Sequence, residues 1–247
     1  MTDRERLRTT FGGDATRYRR ARPTYPAELF TRLTGPRILE IGPGTGQATL
    51  PLTALGEVTA VELSPELAAV ARVHAPAAHV VVADFDTWPL PPEPFDLVVS
   101  ATAFHWLDPA TRMARCAAAV RPGGALAVIS THHVAGGTEP FFAAVQELYE
   151  RWDPSTPPGW RQSPAVAIPC EFDESDLFGE PEFHRYEWEQ AYTAQTYADL
   201  LMTYSNHVVL PDRDRLIADI AALIDSRFGG RIVKRYMTQL ALARTRM

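Results

Sequence analysis

The 247-residue sequence has almost no lysine: of its 24 basic residues, Lys234 is the only lysine and the other 23 are arginines. That bias reads as a codon-level preference and by itself assigns no function. Cysteine is equally scarce. Cys116 and Cys170 are the only two, which excludes a disulfide scaffold and a cysteine-rich zinc site. No run of about 18 apolar residues is present, so no membrane-spanning helix is expected. The opening segment MTDRERLRTTF has no apolar core of the secretory kind, and the expected compartment is cytoplasmic. A formal net charge of −6 argues against a general polyanion binder, so no nucleic-acid partner is expected. Internal repeats and low-complexity tracts are absent.

The charge that is present is uneven. Residues 1–22 carry seven arginines and three acids, whereas the remainder carries 17 basic and 27 acidic residues. This basic arm reads in two ways: as a solvated, frayed end, or as a segment that folds over an anionic or acidic ligand. Hydrophobic residues make up 46% and charged residues 22%, an ordinary globular balance. The length suits one large domain carrying insertions.

Along the chain, short apolar runs alternate with helical periods. Pro26 opens a short helix within 25–34, and strands are expected at 37–41, 57–62, 79–83, 95–101 and 125–130. Helices are expected between them: over 47–55, where Pro51 shortens or bends it; over 66–74, introduced by Ser64-Pro65; and after Asp108-Pro109, ending at Pro122-Gly123-Gly124. Near-continuous apolar strands separated by helices indicate a parallel sheet covered on both faces, with right-handed crossovers. The last third differs. Residues 135–181 are Pro-rich with clustered acids, 182–193 alternates as a strand, 196–227 reads as helix interrupted near Pro211, and 231–243 fits either a strand or a helix. Gly229-Gly230 before the last segment favours a strand.

In an open parallel sheet, ligands bind outside the carboxyl ends of the strands. The residues at those ends form a coherent set: Glu40-Ile41-Gly42-Pro43-Gly44-Thr45-Gly46, then Glu62, then Asp84-Phe85, then Ser100 to Trp106. The glycines allow close backbone approach to a ligand. Glu62 follows Gly42 at the spacing where an acid takes the two hydroxyls of an adenosine ribose. Asp84 is placed to accept from an adenine amino group, with Phe85 against the ring. Two adenosine cofactors fit this outline. A dinucleotide wants G-x-G-x-x-G and a pyrophosphate at the helix N-terminus. Here the third glycine comes one position early, and Gln47 occupies its slot. Pro43 removes an N–H, and Glu40 adds a negative charge beside the loop. Both changes disfavour a pyrophosphate and suit a ligand carrying an amine and a sulfonium.

With L-E-I-G-P-G-T-G-Q at 39–47, V-E-L at 61–63, A-D-F at 83–85, F-D-L-V at 95–98 and R-P-G-G at 121–124, the sequence resembles the class I S-adenosylmethionine-dependent methyltransferases over roughly residues 10–135. A narrower resemblance, to the trans-aconitate methyltransferase-like branch, rests on Tyr18, Arg22-Pro23, Tyr25-Pro26, Ala103-Phe104-His105-Trp106 and Thr203-Tyr204-Ser205. The resemblance implies an α/β fold: a Rossmann-like, doubly wound, seven-stranded, mostly parallel sheet with an antiparallel last strand. A single domain over 1–247 is expected, with an arm or lid at 1–34 and helical, substrate-side insertions at 135–181 and 194–229.

The cofactor implied is S-adenosyl-L-methionine. Its expected contacts are Tyr18, Arg22, Glu40, Gly42, Gly44, Gly46, Gln47, Glu62, Leu63, Asp84, Phe85 and Ala101. By resemblance, Glu40 lies under the methionine portion and the Ala101 carbonyl receives its amine. Arg22 either pairs with the cofactor carboxylate or sits on a solvated face, and Asp86 is an alternative to Asp84. His105 is the candidate catalytic residue: either it takes a proton from a hydroxyl acceptor, or with Trp106 it shapes the pocket wall. A carboxylate acceptor needs no base. No metal is expected, since His132-His133 lacks a carboxylate or cysteine at ligand spacing. The acceptor is expected to be a small molecule methylated at oxygen, and Trp152, Trp160, Tyr192 and Tyr204 point to a partly apolar one. The competing readings are a nicotinamide-dependent oxidoreductase and a cofactor-binding protein without chemistry.

Overall fold

The computed structural model describes residues 15–168, 172–173 and 175–246. Residues 1–14 of the arm and Cys170 lie outside that set. Seven strands form one sheet: β1 (Arg37–Ile41), β2 (Glu57–Glu62), β3 (His79–Val82), β4 (Phe95–Ala101), β5 (Val120–His133), β6 (Glu182–Thr193) and β7 (Arg231–Arg244). Their order is β3-β2-β1-β4-β5-β7-β6. The first five pair in parallel, and β7 runs antiparallel to both β5 and β6. The strand order reverses between β1 and β4, which opens a crevice at the carboxyl ends of those strands.

Helices α1 (Ala15–Ala21) and α2 (Ala27–Phe30) precede the sheet. Next come α3 (Thr49–Leu52), after β1, and α4 (Pro65–His74), after β2. Leu29, Leu33, Leu52 and Ala68 cover one face of the sheet over Ile38, Val99 and Ala127. On the other face, α5 (Arg112–Ala119) brings Met113 and Cys116 against Leu39, Val98 and Leu126. Cys116 is a buried free thiol. At the amino end of α4, Ser64 Oγ accepts from the Leu67 N–H at 3.2 Å, with Pro65 in the first turn, as its residue order dictates.

Two helices are shorter than their periodicity suggests. Pro51 has no N–H to donate, and α3 is a single turn. Asp108 caps a turn through the Ala110 N–H rather than the helix, which starts at Arg112. The segment 231–243 is a strand because β7 lies between two partners, which also explains its nearly continuous burial.

The insertions fold onto each other. The Pro-rich stretch after β5 contains α6 (Glu139–Trp152), and α7 (Ala194–Leu201), α8 (Ser205–Val208) and α9 (Arg213–Arg227) lie between β6 and β7. They share an apolar cluster with the start of β7, including Phe141, Leu200, Leu216, Ile220 and Ile232. Phe141 meets Tyr197 and Phe228 edge to face at 5.6 and 5.4 Å, a favourable arrangement of ring quadrupoles. The Trp152 indole N–H donates to Asp219 at 2.8 Å, tying α6 to α9. This helical cap stands over the carboxyl ends of the strands.

Candidate active site

A cavity of about 300 Å³ lies between the strand ends, the cap and the arm. Its floor begins with the glycine turn. Gly42 has φ +68° and donates to the Val61 carbonyl at 2.9 Å. A Cβ at Gly42 would lie 2.6 Å from that of Ala103, so only glycine fits. Gly44, at φ +59°, lines the cavity, and its N–H donates to Glu62 Oε2 at 2.9 Å. Glu62 Oε1 accepts from the Ser64 N–H, also at 2.9 Å. Two backbone donors thus fix the Glu62 carboxylate at the cavity edge, with lone pairs left for hydroxyl donors. Leu63 and Phe85 line the cavity beside it.

Gly46 has a different role. Its φ is +89°, and an added Cβ would sit 3.4 Å from Ala71 Cα and from the His74 ring. It lets the loop pack on α4 and does not line the cavity. Gln47 does line it. Its Oε1 accepts from the Thr45 hydroxyl at 2.8 Å, while its Nε2 is buried without a hydrogen-bond partner.

Glu40 is a costly group to bury. It is 1% exposed, and neither carboxylate oxygen accepts a hydrogen bond. Burial pushes its pKa up to about 7. The Thr49 hydroxyl nearby lowers it without reaching full hydrogen-bond geometry, and the Glu62 charge raises it further. A buried, unpartnered carboxylate is tolerated where a cationic ligand will meet it.

At the end of β4, Ala101 lines the cavity. The next residue, Thr102, is the only non-glycine with positive φ (55°) among the described residues. Its hydroxyl hydrogen-bonds Tyr25 Oη at 2.9 Å. Strain of this kind concentrates at ligand-facing loops. His105 lies in the single turn Phe104–Trp106, exposed at the cavity mouth and 4.7 Å from the Trp106 ring. Asp84 Oδ1 accepts from the Asp86 N–H at 3.1 Å, and the cavity is lined by the flanking Ala83 and Phe85 rather than by either acid.

The described part of the arm is docked. Arg19 reaches the His74 ring at 2.8 Å, and Arg20 pairs with Asp199 of α7 at 3.1 Å. Tyr18 and Arg22 line the cavity. The Arg22 guanidinium lies 5.0 Å from the Tyr18 ring centre and 4.6 Å from that of Tyr204, and it donates to the Thr203 carbonyl at 2.9 Å. Its Nε is buried without a partner.

The far wall holds Thr131, His133, Asn206, Lys234 and Tyr236, which residue-type reasoning did not select. For the four strand residues the signal was positional: β7 borders β5, so their side chains share the cavity face, and Asn206 is brought there by the cap. His133 has its pKa pushed down to about 2 by burial and by the Lys234 charge. Of the four aromatics singled out in the sequence, Tyr204 alone lines the cavity. Tyr192 hydrogen-bonds Tyr236 within the core, Trp152 packs in the cap, and Trp160 is 49% exposed.

The unpaired Glu40 oxygens and the unpaired donors of Gln47 and Arg22 fit an adenosine-bearing zwitterion with an ammonium and a carboxylate. The turn fits its close approach. Among the described residues no cluster of three or more His, Cys, Asp or Glu could hold a metal, and no helix is long and apolar enough to cross a membrane.

Residues 39–128 match a family described as a methyltransferase domain. An uncharacterized methyltransferase of Mycobacterium tuberculosis is 35% identical over 130 residues, covering 51% of this chain and 54% of that protein. A trans-aconitate 2-methyltransferase of Methylobacterium radiotolerans is 33% identical over 137 residues, covering 53% and 52%. The chain thus aligns with about half the length of these curated relatives. The solved structure of a putative type II methyltransferase from Anaeromyxobacter dehalogenans superposes with a TM-score of 0.62 at 25% identity, covering 90% of this chain and 97% of that one.

Proposed function

We propose that the protein transfers a methyl group from S-adenosylmethionine to an oxygen of a small molecule; the match of residues 39–128 to a methyltransferase domain and the Rossmann-like sheet order support this reading. The observation that carries this reading is the convergence of the Gly42–Gly44 turn, Glu62 and the unpartnered Glu40 on one cavity. When bound, S-adenosylmethionine supplies a methyl group already activated by its sulfonium charge.

The residues of the chain bind, orient and shield. Glu62, held by two N–H groups, accepts from the ribose hydroxyls through charge-assisted hydrogen bonds. Glu40 and the Ala101 carbonyl take the ammonium, and Arg22 takes the cofactor carboxylate. Leu63 and Phe85 flank the base with apolar wall. The arm and the cap close the site against water, and alignment of donor and acceptor then contributes most of the acceleration. Oxygen is favoured over nitrogen because the acceptor wall presents Lys234 and no carboxylate, which repels a protonated amine. His105, at the mouth, takes the proton of a hydroxyl acceptor. Loss of turnover in His105→Ala with cofactor affinity unchanged is the expected result, and an unaltered rate would leave it a wall residue.

The buried Glu40 disfavours the dinucleotide reading, because its charge would oppose a pyrophosphate. Calorimetry with S-adenosylmethionine and with NAD tests the proposal. Binding of the first alone is expected, and binding of NAD alone would overturn it.

A further inference from the structure

The only lysine of the sequence is buried in the cavity wall. Lys234 is 4% exposed. On β7 it shares a face with Tyr236, two residues on. Its Nζ lies 5.1 Å from the Tyr236 ring centre, 5.3 Å from that of Tyr204 and 6.0 Å from that of Tyr197. Among the described residues it has no carboxylate partner, and its one hydrogen bond goes to Tyr204 Oη at 3.1 Å. Cation–π contacts recover part of the cost of burying an ammonium. They do not replace a counter-charge, and a buried charge without one is expensive.

The surroundings sharpen the point. The groups within cation–π reach are phenols, and His133 and His207 are held neutral, their pKa values pushed down to about 2 and about 4 by burial and by Lys234, against an opposing pull from Asp153 on His207. Burial alone would raise the Tyr204 phenol. The charges of Lys234 and Arg22 instead bring it below the ordinary tyrosine value. The wall thus draws negative charge toward one spot, where an ammonium and a hydroxyl both face the cavity.

We propose that Lys234 and Tyr204 form a carboxylate-binding subsite that anchors the methyl acceptor by an acid group distinct from the oxygen that is methylated. The Lys234 ammonium and the Tyr204 hydroxyl both donate to the carboxylate. That engagement withdraws electron density from the carboxylate oxygens and makes them poor nucleophiles, so the group serves as a handle. The acceptor is then a small hydroxy acid, aliphatic or phenolic. Its role as acceptor rests on the methyl-transfer reading; the anion contact at Lys234 does not.

Because the chain has one lysine, protein grown on isotopically labelled lysine gives a single set of lysine side-chain NMR signals. With S-adenosylhomocysteine bound, acetate, succinate and benzoate are titrated against their amides at fixed pH. A saturable shift of the Lys234 signals with at least one carboxylate and not with its amide is expected. Tyr204→Phe should weaken that carboxylate by about 2–10-fold, the loss of one hydrogen bond, with the lysine signals still reporting that the fold is intact. If no carboxylate moves the signals, or if each amide moves them as its acid does, the subsite is overturned. It is also overturned if S-adenosylhomocysteine alone saturates the shift, since Lys234 would then serve the cofactor. Should S-adenosylhomocysteine fail to bind by calorimetry while a carboxylate still shifts Lys234, the methyl-transfer reading falls and the subsite stands.

Discussion

The two ends of the cavity carry opposite charge and are held in opposite ways. Glu40 and Glu62 stand at the ends of adjacent strands, and the loop that follows β1 fixes Glu62 through the Gly44 N–H. That end is built from residues close in sequence, on neighbouring strands near the middle of the sheet. The cationic end is assembled from parts far apart: Arg22 after the arm helix, Tyr204 between cap helices, Lys234 on the late strand β7. A side chain set by its own strand end is pre-organised whether or not a ligand is present. One set by docking of arm and cap is organised only while those parts stay docked. The acidic end should therefore register in stability and cofactor affinity, and the cationic end in closure and, through Lys234 and Tyr204, in acceptor binding, with Arg22 alone of that end reaching the cofactor.

The largest expected effect breaks the acidic end. Glu40 titrates near 4.5 when unfolded and near 7 when folded. Between those values the folded state keeps a proton that the unfolded state has lost, so stability falls as pH rises through the window. The full difference is about 3 kcal/mol above pH 7. Glu40→Gln removes this slope. Urea unfolding of cofactor-free protein should show variant and wild type alike below about pH 4.5, with the variant increasingly more stable up to about pH 7. The same substitution should weaken S-adenosylmethionine, because a neutral amide lacks the charge that meets the ammonium. Parallel stability profiles would show that burial of Glu40 carries no such cost. His133 and His207 work in the opposite sense, since their depressed pKa values remove stability as pH falls below their unfolded value near 6.5. Only the difference between the two proteins isolates Glu40.

Next in size is Glu62→Ala, which removes the acceptor of the Gly44 and Ser64 N–H groups together with the expected ribose contacts. S-adenosylmethionine affinity should fall by about 1–3 kcal/mol, measured by calorimetry. An unchanged affinity would remove Glu62 from the ribose role and leave it as a brace for the turn.

The same division explains what could be read from residues alone. The order of strands and helices from 37 to 133 was legible because each apolar run, glycine turn and strand-end acid is a local signal. The glycine turn and Glu62 also depend only on neighbours in sequence. Gly46 was misplaced because a glycine that admits a ligand and one that admits a helix look alike in sequence; the Ala71 contact separates them. For Asp84 the sequence does not show the local Asx turn with Asp86, which engages one of its carboxylate oxygens. Lys234 carried no pattern at all. Its meaning comes from β7 lying beside β5 and from tyrosines contributed by the cap, which are long-range facts.

The smallest expected effect tests the docked end. Asp199 on α7 accepts from Arg20 at 3.1 Å and lies 3.5 Å from Arg17, joining arm to cap at a partly exposed site. Pairs of that kind contribute about 0–1 kcal/mol and weaken in salt. Asp199→Ala should leave the unfolding midpoint within about 1 kcal/mol of wild type while speeding proteolysis and amide exchange across residues 15–22, because the arm loses one of its anchors. Raising the salt concentration should bring wild type toward the variant. S-adenosylmethionine should protect the arm in both proteins, since Arg22 engages the cofactor from inside. If arm exchange is unchanged, the Arg19 contact to His74 and the stacking of Arg22 between Tyr18 and Tyr204 hold the arm without Asp199, and the cationic end is as pre-organised as the acidic one.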